Sequence, residues 1–95
     1  MSNERATVSM GLSFVSDQLV QEQIDRVQSN LVEILISKGI SQRPIWEQSV
    51  DCVRLLINGA KSQPVFLVST AEFLAVAPDR LLINIETAIN NAFAL

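Results

Sequence analysis

The sequence predicts a helix-rich α+β domain with elements in the order β-α-α-β-α-α. Three observations predict it. Residues 7–14, TVSMGLSF, alternate apolar with small or polar side chains, the period of a half-buried strand. Val20, Ile24, Val27, Leu31 and Ile34 recur at spacings of four and three, the stripe of an amphipathic helix. Val65 to Val68 is a continuous apolar run between Pro64 and Ser69, suited to a buried strand. The expected arrangement is a helical hairpin over residues 16–58 and a C-terminal helix over 79–94 around one core, with 1–95 as a single domain. An all-α bundle with an extended N-terminal segment is the alternative.

Residues 1–5 are polar and expected to fray. The strand at 6–14 comes next. Ser16 reads as a helix N-cap, with Asp17 favourable to the helix dipole and Val15 and Val20 spaced as a hydrophobic staple. Lys38 in the last turn and Gly39 after it are stop signals. After the short ISQRP connection, Pro44 suits the first turn of a second helix. That helix would present Trp46, Val50, Val53 and Ile57 in one row against the first stripe, widened by Ile45, Cys52 and Leu56, and end at Asn58-Gly59. The strand at 64–69 is the intrachain candidate to pair with TVSMGLSF. Ser69 and Glu72 match a capping box, and Pro78 restarts the chain into the last helix.

The composition is narrow in what it permits. Ninety-five residues make one domain with 10 acidic and 7 basic side chains, a net charge of −3. This mild acidity argues against nucleic acid or an anionic membrane as the main partner. With 48% apolar and 18% charged residues, some apolar material is expected to face a partner. MSNER lacks the apolar run of a signal peptide, and no apolar stretch approaches the length that spans a bilayer, so a cytoplasmic location is expected.

Catalytic chemistry finds little support. There is no histidine and no tyrosine, which removes the commonest general base and the usual zinc ligand. Cys52, the one cysteine, reads as a structural thiol inside a helix. Glu47 and Asp51 would share a helix face, where Arg43 and Arg54 are spaced to neutralise them. No glycine-rich phosphate loop and no metal-ligand cluster occurs. A non-enzyme without cofactor or metal is expected.

A strand followed by two helices, with Gly39-Ile40-Ser41 between them, resembles the ribbon-helix-helix regulators over about residues 6–58. The resemblance implies a dimer whose paired strands enter the DNA major groove. The outward residues of this strand, Thr7, Ser9, Gly11 and Ser13, include no cation to hold a base or phosphate. A DNA-binding regulator or antitoxin-like protein is therefore the second reading.

The first reading is a small interaction module, an adaptor or regulatory subunit, acting as a homo-oligomer with a dimer favoured. From Ser69 onward the only charged side chains are Glu72, Asp79, Arg80 and Glu86, so the last helix is a candidate for core or interface. The candidate interface residues are Val8, Met10, Leu12 and Phe14 on the strand and Leu82, Ile85, Ile89 and Phe93 on the helix.

Overall fold

The structure is a computed structural model that describes the backbone of residues 2–95 and the side chains of residues 17–95. Its elements are α1 (Ser2–Ser37), β1 (Pro44–Gln48), β2 (Cys52–Ile57), β3 (Phe66–Ser69), α2 (Thr70–Ala75) and α3 (Pro78–Phe93). The three strands form an antiparallel sheet in the order β1-β2-β3, and the helices cover one of its faces. The class is α+β, as expected, but the chain reaches it through different elements.

Two expectations are corrected. The segment 6–14 is helical backbone within α1, not a strand, and Ser16 lies inside that helix rather than capping it. The side chains of Val8, Met10, Leu12 and Phe14 lie outside the described residues. The second correction concerns residues 44–58, which form the β1–β2 hairpin instead of the second helix of a helical hairpin. The strand-helix-helix order behind the ribbon-helix-helix resemblance is thus replaced by helix, strand, strand.

The hairpin follows from a period-two pattern inside the second segment. Val53, Leu55 and Ile57 are fully buried, whereas Arg54 between them is exposed. Opposite them, Trp46 pairs with Leu55 and Pro44 with Ile57 on β1, and Phe66 pairs with Leu55 and Val68 with Val53 on β3. Pro44 lacks a backbone donor and sits at the first residue of an edge strand, where that costs little. Ser49 to Asp51 make the turn, closed by the Ser49 N–H donating to the Cys52 carbonyl at 2.9 Å. Val50, expected in the core, stands at the tip and is 96% exposed.

The first helical stripe is placed as expected. Val20, Ile24, Val27 and Leu31 are buried, Leu35 joins them, and Ile34 is half-buried at the margin. They pack against α2 and α3 and share a core with the sheet, in place of a helix over residues 44–58. The C-terminal end of α1 is a Schellman cap. Gly39, at φ +75°, donates to the Ile36 carbonyl at 3.0 Å, and Ile40 donates to Leu35 at 2.9 Å. Ile40 then packs on the core, the apolar contact that completes this motif.

The other signals also act locally. Ser69 caps α2 by accepting the Glu72 N–H at 3.2 Å. Pro78 opens α3. Lys38 reaches across to Glu86 on α3 at 3.2 Å.

One buried polar residue fastens the layers. Gln23 on α1 donates its amide to the Val76 carbonyl at 2.8 Å and the Phe73 carbonyl at 3.2 Å, the end of α2. Gln23→Ala is expected to cost about 1–3 kcal/mol in chemical denaturation, because two carbonyls lose their shared donor in a buried setting. A cost indistinguishable from that of an exposed substitution would show that water replaces the amide.

Candidate interaction surface

Side chains alternate across a sheet, so the burial of Val53, Leu55 and Ile57 sends Cys52, Arg54 and Leu56 of β2 to the opposite face. Residues directly opposite share a face. Ile45 and Glu47 of β1, facing Leu56 and Arg54, and Leu67 and Ser69 of β3, facing Arg54 and Cys52, therefore complete this outer layer. No described helix covers it.

An antiparallel sheet with one solvated face normally shows polar residues there. This face does not follow that pattern. Ile45 is 53% exposed and Leu67 is 58% exposed, Leu56 and Cys52 are half-buried, and only Glu47, Arg54 and Ser69 are polar. The two charged members are paired with each other, Arg54 Nη2 lying 3.0 Å from Glu47 Oε1, with both side chains about half exposed. The result is an apolar patch with one ion pair near its middle.

Cys52 is thus not a helical core thiol. It lies on the open face at the hairpin end, half-buried, with its Sγ 2.9 Å from Ser49 Oγ. Glu47 and Asp51 do not share a helix face. Glu47 is on β1 and pairs with Arg54, while Asp51 is in the turn and accepts the Thr70 N–H through its carbonyl at 2.9 Å.

The helical half of the expected interface has a different place. Ile85 and Ile89 are fully buried in the core of their own chain, and Leu82 and Phe93 are half-buried against it. The outward face of α3 instead presents Ile83. Sequence reasoning missed Ile45, Leu56 and Leu67 as surface residues because a helix at 44–58 and a buried strand at 64–69 put all three inside. The exposed Arg54 between buried Val53 and Leu55 was the available signal.

A second apolar feature lies at the C-terminal end of α1. A groove of about 550 Å³ runs between Val32 and Ile36 of the helix and the Ile40–Pro44 connection. Gln28 also lines it, with its Oε1 accepting the Trp46 indole N–H at 2.9 Å.

Among the described residues, no group of three His, Cys, Asp or Glu side chains is placed to hold a metal ion, and no helix is long and apolar enough to cross a membrane. Compared with known protein families, with curated proteins and with solved structures, the chain matches none of them.

Proposed function

We propose that this protein is a non-enzymatic interaction module that works as a homo-oligomer, most simply a two-fold dimer joined through the open face of its sheet. The observation that carries the reading is the pattern of that face: Ile45, Leu56 and Leu67 occupy positions that a solvated sheet gives to polar residues.

The choice of a second copy as the occupant rests on charge. In a two-fold interface the same patch meets itself, so each residue must find its complement within its own patch. Arg54 and Glu47 are adjacent, of opposite sign and half exposed. Across a two-fold axis each guanidinium can meet the other copy's carboxylate, while Ile45 and Leu67 meet apolar counterparts. A partner with a strongly charged surface would gain little from so balanced a patch. The open strand edges of β1 and β3 are a less favourable route, since β1 carries Pro44 and Glu47, residues that discourage edge pairing.

Sedimentation velocity at micromolar concentration should show a dimer for the wild-type chain and a folded monomer for Leu67→Arg. Glu47→Arg alone places two cations together in each patch and should weaken the dimer, and Glu47→Arg with Arg54→Glu should restore it. As the only thiol, Cys52 should react with a bulky maleimide more slowly in the wild type than in Leu67→Arg. A wild-type monomer across the micromolar range, or a dimer indifferent to Leu67→Arg, overturns the reading.

A further inference from the structure

The groove beside the end of α1 has the attributes of a small-ligand site, and we propose that it binds an aliphatic monocarboxylate. Its volume of about 550 Å³ falls within the range of small-molecule sites, roughly 300–1,000 Å³. Its walls are aliphatic, from Val32, Ile36, Ile40 and Pro44. Ile36 is 69% exposed, although Leu35 beside it is buried and Ile40 packs on the core. An apolar chain laid along this wall covers surface that the fold itself leaves wet.

The polar groups at the rim set the sign of the ligand's head. Arg43 is the one charged side chain lining the groove, and it makes no ion pair among the described residues. Lys38, the other cation nearby in sequence, is already engaged by Glu86. Gln28 also lines the groove; its Oε1 accepts the Trp46 indole N–H, and its amide nitrogen carries donors. A guanidinium and an amide donor beside an aliphatic wall, with no carboxylate in the lining, match an acceptor-only anionic head on a hydrocarbon chain. Arg43 would take the carboxylate, and Val32, Ile36, Ile40 and Pro44 the chain.

The two polar neighbours, Ser41 and Gln42, are exposed on the connection that forms the outer wall. This site is separate from the open sheet face, so it stands independently of whether the chain dimerises.

The test is an amide NMR titration of the whole chain with decanoate below its micelle-forming concentration, run beside decanol, decyltrimethylammonium and acetate. Decanoate should give saturable shifts centred on residues 28–44. Decanol and acetate should each bind at least about tenfold more weakly, having lost the charged hydrogen bond or the chain. The ammonium should not bind. Arg43→Glu, an exposed loop change, should remove the preference for decanoate over decanol, and Ile36→Asp should weaken decanoate by about tenfold, with core amide shifts unchanged in both. Absence of a saturable response, equal responses to decanoate and decyltrimethylammonium, acetate binding as well as decanoate, or an Arg43→Glu variant with the original preference would each overturn the proposal.

Discussion

Phe73→Ala is expected to cost about 3–5 kcal/mol in urea denaturation, a large share of a small domain's total stability. Among the described residues, Phe73 is the largest fully buried side chain. It sits on the short helix α2, which packs on both α1 and β2. Its ring meets that of Trp46 with centroids 5.7 Å apart and planes tilted by 59°, a geometry favourable to an aromatic pair. Truncation opens a cavity where α1, α2 and the sheet meet, and a helix of six residues has few other contacts with which to close it. Ser29→Ala, on the exposed side of α1, should change stability by no more than about 0.5 kcal/mol. Gln28 would not serve as a neutral control, because its carbonyl oxygen accepts the Trp46 indole N–H. Comparable costs for Phe73→Ala and Ser29→Ala would mean that α2 is not docked as described.

The sequence was legible where a signal is local and chemically specific. Gly39 ends α1 because a left-handed residue is needed there, Ser69 caps α2, and Pro78 starts α3. The stripe Val20, Ile24, Val27, Leu31 was legible because its alternate spacings of three and four fit no strand. The two misread segments share one ambiguity. A spacing of four returns to the same face in a helix and in a strand alike. Val53 and Ile57 are four apart and extended a helical row from Trp46 and Val50, yet Leu55 between them is buried on the same side, which only a strand allows. In TVSMGLSF the ambiguity runs the other way. Val8 with Leu12, and Met10 with Phe14, are also four apart, and the backbone there continues α1.

A helix over residues 44–58 contains no such open face. A helix would set Arg43 and Arg54 against a shared Glu47–Asp51 face; instead Glu47 and Arg54 pair as opposite residues on neighbouring strands. Cross-strand proximity then moved Ile45, Leu56 and Leu67 from an imagined core to one open face. The groove needed the same correction, since its outer wall is the connection into β1. The C-terminal helix carried two uses with one pattern, and the apolar stripe alone does not say whether its cover is the same chain or another.

That ambiguity has a direct test, and its expected result is the second large effect. Ile89→Asp should leave the chain without cooperative unfolding at ambient temperature, not convert an oligomer into a folded monomer. Ile89 is fully buried on α3, in line with Leu81, Ile85 and Ala92 and facing the stripe of α1. A carboxylate there loses its hydration, and Lys38, which reaches α3, is already paired with Glu86 on the same helix. An unpaired buried charge costs several kcal/mol even if the group responds by taking up a proton, against a total of about 5–15 kcal/mol for a typical native protein. Ile83→Asp provides the comparison on the same helix. Ile83 is 65% exposed, and its replacement should shift stability by no more than about 0.5 kcal/mol. Near-UV circular dichroism and urea titration of the two variants give the answer. A folded Ile89→Asp protein of half the wild-type mass would mean that α3 faces a second subunit, and the open sheet face would then lose its claim to be the interface.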